Sequence, residues 1–213
     1  MAARYWRGAD CGVRRAELRA VAHNPPRWPG VPPASLFASF MSTLAPAELS
    51  RQLRLGQNSD LTRRRWIIGL SLVTVAAGQI VTLYQTGVIS HLPDPPLAVF
   101  DSDKVDASDY GYKRLQMPDA PAMIVTGGIT AMLASTGGQE RATTLPWLPV
   151  ALLGKTLIDL VTNVQLGREE WKENKKLCFY CQASTVAATA TAVLAIPEAI
   201  KAFKTLFGKK TAA

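Results

Sequence analysis

The stretch WIIGLSLVTVAAGQIVTLY, residues 66–84, contains no charged side chain and follows directly on Arg63-Arg64-Arg65. A bilayer span needs about 18–20 apolar residues in a row, and this run supplies them. Trp66 stands where an interfacial anchor belongs, and the arginines mark the edge at which the chain enters the lipid. This reading decides the fold class, because a chain that crosses lipid once with a helix must satisfy every other crossing in the same way.

Working outward, three further segments fit that frame. Pro121 to Ser135 is a shorter, glycine-containing apolar run, and its neighbours argue for a second span. Pro146 to Val164 reads as a third, entered through Pro146, Trp147 and Pro149. Leu177 to Ile196 reads as a fourth, ending at Pro197 because proline breaks a helix interior. Gly137-Gly138-Gln139-Glu140-Arg141 makes a tight turn between the second and third, and 165–176 a short charged connection. The predicted fold class is all-α: an integral membrane four-helix bundle over 61–200, with a polar Arg/Pro-rich extension at 1–60 and a basic tail at 201–213 containing Lys201, Lys204, Lys209 and Lys210.

Residues 1–40 carry six arginines against Asp10 and Glu17, and five prolines from Pro25 onward argue against a continuous helix there. No apolar core followed by a small-residue cleavage site marks a secretory signal. An organelle transit peptide or a true start at Met41 would each account for such a segment. It is expected to be poorly ordered and without chemistry, and Cys11 within it to be incidental. Ala45 to Leu55 has the pattern of a short amphipathic helix.

The net charge of +8 over 213 residues would by itself suggest nucleic acid or anionic lipid as a partner. The basic residues instead flank apolar runs, the pattern of topogenic charge, and no nucleic-acid motif is present. Arg51, Arg54 and Arg63 to Arg65 hold the N-terminal flank inside, and the tail lysines hold the C-terminus on the same side, which four spans allow. The connection 85–119, with six aspartates against Lys104, Lys113 and Arg114, then lies outside as a solvated acidic loop. Asp101, Asp103 and Asp106 lack the glycine turn and terminal glutamate of an EF-hand. The expected location is a bacterial inner membrane with both termini cytoplasmic, an organelle membrane being the lesser alternative.

At the outer end of the fourth span stands KKLCFYCQ, residues 175–182. Cys178 and Cys181, three positions apart on a helix, project from nearly one face and can bridge to each other. A helix start with Lys175 and Lys176 beside it favours thiolate, so the pair reads as a redox centre on the side where disulfides persist. Zinc would need two more ligands, and the only histidines are His23 and His91. No metal is expected.

Polar groups also punctuate the spans. Lys155 and Asp159 lie one turn apart in the third, with Asn163 on the same stripe, and Gln182 and Thr185 share the face of the cysteines. Ionisable groups at that depth are costly unless paired, and usually face the interior. Two readings stand: contacts to a ligand beneath the cysteines, or helix-to-helix pairing.

Four spans, a CxxC opening the last, and the segments HLPDPP (91–96), FDSDKVDASD (100–109), PWLPVALLGKTLID (146–159) and CFYC (178–181) resemble a bacterial branch of the vitamin K epoxide reductase family. The resemblance covers about residues 60–200. It implies a bundle enclosing a quinone substrate, ubiquinone or menaquinone, with Cys181 reacting with the quinone and Cys178, outward and accessible, exchanging with a disulfide or dithiol. It also implies lipid and a thioredoxin-like thiol protein outside the cytoplasm as partners. Two departures are visible. The loop 85–119 has no cysteine pair to relay electrons, and Thr185 stands where some members place a tyrosine that contacts the quinone. The expected function is thiol–quinone oxidoreduction. The rival is a non-catalytic membrane subunit that keeps the bundle, and a transporter using Lys155 and Asp159 is a weaker third.

Overall fold

The computed structural model describes residues 44–114 and 116–208. Cys11, His23, the predicted irregular segment 1–40 and the lysines at 209 and 210 lie outside the described residues. All the long elements are helical: α1 (Pro46–Leu55), α2 (Ser59–Gln85), α3 (Ser102–Asp106), α4 (Ala120–Ser135), α5 (Arg141–Thr144), α6 (Trp147–Asn174) and α7 (Phe179–Gly208), with one 3-10 turn at Asp109–Gly111. Three helices are long and apolar enough to cross a membrane, and α4 is a shorter apolar helix.

The first span starts at Ser59 because Asn58 caps it, its side chain accepting the Asp60 N–H at 2.9 Å. α2 packs most extensively on α4 and α7, α7 packs on α6, and α6 closes the ring against α4. Large apolar side chains point away from this ring: Leu72 and Val73 on α2, Val125 and Met132 on α4, Ile158 and Val161 on α6, Val186 and Val193 on α7. The interior holds Ser71, Thr74, Thr130, Thr156, Ser184 and Thr191, all buried. Apolar outside and hydroxyl-bearing inside is the distribution that lipid, rather than water, as solvent selects.

The approach of α2 to α4 rests on two glycines. A Cβ on Gly127 would sit 2.9 Å from Val75 Cγ2 and 3.0 Å from the Ser71 carbonyl oxygen, and one on Gly78 would sit 2.8 Å from Met123 Cβ. Only hydrogen fits there.

At 16 residues, α4 is about 24 Å long and falls short of the ~30 Å hydrocarbon core. Its last carbonyls have no partner within the helix and need donors. Arg64 provides them, its guanidinium donating to the carbonyls of Ala134, Thr136, Gly137 and Gly138 at 2.7–3.1 Å. Arg141 adds bonds to Leu133 and Thr136, and pairs through both nitrogens with Glu198 of α7.

Three expectations need correction here. Pro197 does not end the last helix, which runs on to Gly208. Proline removes one N–H but is tolerated in a membrane helix whose neighbours re-satisfy the backbone, and the adjoining Glu198 is locked to Arg141. Residues 165–174 are not a loop but the last turns of α6, which reverses at Lys175 in the left-handed conformation (φ 55°). The loop 85–119 is not a solvated acidic strand of chain either: Leu92, Ser102 and Val105 within it are completely buried, and Asp106 nearly so.

Candidate functional site

Cys178 is the residue before the first turn of α7, and its sulfur caps that helix by accepting the Cys181 N–H at 3.3 Å. Its carbonyl takes the first helical bond from Gln182 N–H at 3.0 Å. Both thiols are free. The sequence reading that the pair opens the last long helix on one face thus has its geometric counterpart.

The loop between α2 and α4 lies over this helix start. Phe100 and Leu177 form an isolated parallel bridge, with Asp101 N–H to the Leu177 carbonyl at 3.1 Å and Leu177 N–H to the Val99 carbonyl at 3.0 Å. Ser102 Oγ accepts the Phe179 N–H at 2.9 Å and donates to Asp94 at 2.6 Å. The Phe100 ring meets Phe179 edge-on at 5.6 Å, and Tyr180 donates its hydroxyl to the Pro93 carbonyl at 3.0 Å. Asp103 is spent on fixing the loop, accepting from Leu92 N–H at 2.8 Å and pairing with His91.

The consequence is that Cys178 is wholly buried, with Val81, Val105 and Ala120 packed round it, and Cys181 only half so. The expected accessible, electropositive outer thiol is not what forms. Burial pushes the Cys178 thiol up, and the Asp106 carboxyl adds to that, against a hydrogen bond with Cys181 that lowers it. Lys176 is engaged by the covering loop, and Lys175 is exposed. Lys176 donates to the Ala98 carbonyl at 2.6 Å, and the Lys175 backbone N–H closes α6 on the Trp171 carbonyl.

Two carboxyls flank the sulfurs. Glu170, buried on α6, accepts the Cys178 N–H and the Gln182 Nε2–H, each at 3.3 Å. A carboxylate oxygen of Asp106 and the two sulfurs all lie within 4.8 Å of one another. Asp106 Oδ2 is buried without a hydrogen-bond partner, and burial raises this carboxyl from 3.8 to about 7. The three ligand-type atoms are fewer than the four of a closed zinc site, and His91 is engaged with Asp103.

Of the other residues singled out in the sequence, Gln182 is held by Glu170, and Thr185 donates to the Cys181 carbonyl of its own helix at 2.9 Å. Lys155 pairs with Asp159 and also donates to the hydroxyls of Thr126 and Thr130. Asp159 and Asn163, with Ser71, Thr74, Thr126, Thr130 and Thr191, line a cavity of about 20 Å³ between the helices. That is room for a water, not for a quinone ring. On α7 the lining runs from Ala188 to Thr191, seven to ten residues from Cys181, so the cavity sits roughly 10–15 Å beneath the thiols. Gln182 and Thr185 do not line it. This cavity thus carries Asp159 and Asn163 of the third-span stripe without Gln182 or Thr185.

Asp106, Glu170 and Ser102 escaped the sequence reading. For Glu170 a signal existed: a helix continued through 165–174 with a tight reversal after it brings position 170 beside 178. Nothing separated Asp106 from the other five aspartates of its loop.

Comparison with curated proteins gives no match. The family model described as Vitamin K epoxide reductase matches residues 65–196, a range containing the body of all four long helices, the covering loop and both cysteines. It spans more than half of the 213 residues, and the chain belongs to the vitamin K epoxide reductase family.

Proposed function

We propose that this protein is a membrane thiol–quinone oxidoreductase, in which Cys178 and Cys181 alternate between dithiol and disulfide while a quinone substrate alternates between oxidised and reduced forms. The observation that carries this reading is the capped pair itself: two free thiols at the start of α7, one sulfur 3.3 Å from the other cysteine's N–H, in a family whose members are generally quinone-linked. Cys181, the less buried of the two, is the thiol that meets the quinone. Like Leu166 and Tyr180, it packs partly exposed against the apolar cluster around Cys178, and this rim is the apolar edge at which a ring would lie. Cys178 is the thiol that exchanges with an outside dithiol or disulfide, such as that of a thioredoxin-like protein. Since it is buried, this exchange requires the Phe100–Ser102 segment to lift. Electrons balance simply: the dithiol loses two electrons and two protons in closing the S–S bond, and the quinone gains both to become the quinol.

Orientation follows from charge. Asp60 at the start of α2 pairs with Lys201 near the end of α7 at 2.7 Å, so both flanks lie at one end of the bundle, together with Arg63 and Arg65. The positive-inside rule puts that end in the cytoplasm and the cysteines outside. The membrane would be a bacterial inner membrane, and the choice between ubiquinone and menaquinone is made by the organism's pool.

The sealed position of Cys178 favours a second reading, a non-catalytic membrane subunit whose thiols pack and do not turn over. One experiment separates the two. Purified protein is given dithiothreitol and a short-chain benzoquinone, and quinone reduction is followed optically in wild type and Cys181→Ser. Reduction lost in the variant supports the enzyme; reduction equal in both, or absent from both, removes it.

A further inference from the structure

We propose that Asp106 is a catalytic residue of this site, the group that takes the proton of the Cys178 thiol as the pair oxidises and returns it as the pair is reduced. The inference rests on the thiol–quinone reading and assigns a residue that the cysteines alone do not supply.

The argument is one of placement. Thiol chemistry proceeds through thiolate, yet Cys178 lies where burial opposes its ionisation, so its proton needs a nearby acceptor. Asp106 ends the short helix α3, which the Asp101 side chain starts by accepting the Lys104 N–H. That helix aims the carboxyl inward, within 4.8 Å of both sulfurs. Its Oδ2 is buried and finds no partner beyond the Cys178 thiol that the carboxyl faces, and a buried polar atom in that state calls for an explanation, a catalytic role among them. Glu170 is the other carboxyl at hand, but it meets the thiol of Cys181, not that of Cys178, and its Oε2 holds the Cys178 N–H and the Gln182 amide, which positions the helix start; the carboxyl hydrogen-bonded to the Cys178 thiol is Asp106. The titratable groups facing Asp106 are Cys178 and Cys181 from α7, Glu170 from α6, Asp119 from the start of α4, Asp94 from the loop and Tyr84 from α2. Burial, against a hydrogen bond with the Cys178 thiol and with acidic neighbours adding to it, holds the carboxyl at about 7, where a general base is effective at neutral pH.

The step balances. The Cys178 S–H bond breaks and its proton passes to an Asp106 oxygen. The sulfur closes the S–S bond to Cys181, whose own proton and the electron pair go to the quinone. Asp106 then gives up the second proton that the quinol needs and returns to the carboxylate. In the reverse direction Asp106 protonates Cys178 as the disulfide opens.

The test uses the full-length protein with dithiothreitol and a short-chain benzoquinone, comparing wild type, Asp106→Asn and Asp106→Glu from pH 5.5 to 8.5. Asn should lower turnover about 100-fold and abolish the fall in activity on the acid side of about pH 7, while Glu restores the acid limb. In a Cys181→Ala background, the pH at which methyl methanethiosulfonate labels Cys178 at half-maximal rate should drop when Asp106 becomes Asn. Wild-type turnover, pH profile and labelling curve in Asp106→Asn would overturn the assignment. A wild type that leaves quinone untouched while labelling still depends on Asp106 would sink the quinone reading alone.

Discussion

Arg141 and Glu198 face each other in a two-pronged ion pair, Nε to Oε1 and Nη2 to Oε2 each at 2.7 Å, with both side chains buried. The pair ties the segment after α4 to the far end of α7. It sits at the opposite end of the bundle from the thiols, Glu198 lying 17 residues along α7 from Cys181, roughly 25 Å. Removing one partner leaves the other charge buried, a loss of about 3–5 kcal/mol. Glu198→Ala should therefore unfold at markedly lower denaturant in detergent. The molecules that remain folded should show wild-type thiol labelling, since nothing at the CxxC touches this pair.

The helix-to-helix contact makes a sharper steric prediction. Gly127 faces α2 with no room for a side chain, whereas its neighbour Gly128 has nothing within 4 Å of a built Cβ. Gly128→Ala should leave the unfolding midpoint within about 0.5 kcal/mol of wild type. Gly127→Leu forces α4 off α2 and should cost more than about 2 kcal/mol. Equal effects of the two substitutions would show that the helices do not meet through this face.

These two features show what a sequence can and cannot carry. The spans were legible because lipid demands long uncharged runs, and residues 66–84 and 177–196 supply them. The CxxC was legible as a helix opening because its spacing matches the helical turn. The burial of Arg64 was not: successive residues on a helix point about 100° apart, so Arg63-Arg64-Arg65 sends side chains three ways, and only packing with α4 decides which one turns inward. Arg63 binds Asp60, Arg65 reaches the carbonyls of Leu53 and Gly56, and Arg64 alone enters the core. The same ambiguity hid Asp106 among the loop aspartates. Pro197 stays inside α7 because neighbouring helices stabilise that helix, which proline's local preference alone does not register.

The loop over the thiols should behave as a gate whose latch is Ser102. Ser102→Ala removes the acceptor of the partly buried Phe179 N–H and the donor to Asp94, at a cost of about 1–3 kcal/mol borne mainly by the covered state. Alkylation of Cys178 should accelerate about tenfold or more, with little change at Cys181. An unchanged Cys178 rate would mean that the loop is held chiefly by the Phe100–Leu177 bridge.

Asp106 also links stability to pH. Its carboxyl is raised in the folded protein from 3.8 to about 7 by burial, so between those values the folded state holds a proton that the unfolded chain has lost. Stability from this group is full below about pH 4 and declines as pH rises towards 7. Asp106→Asn should flatten that decline, and unfolding midpoints at pH 5, 6 and 8 in the two proteins measure it.

The central claim is that Cys178 and Cys181 pass electrons as a pair, and counting thiols tests it most directly. Fully reduced protein is mixed with excess benzoquinone, the free thiols are alkylated, and peptides containing both residues are weighed. The account predicts loss of two alkylation sites together, with a Cys178–Cys181 disulfide formed and one quinol released per protein. Two cysteines still alkylated after quinone exposure, in folded protein, would contradict it.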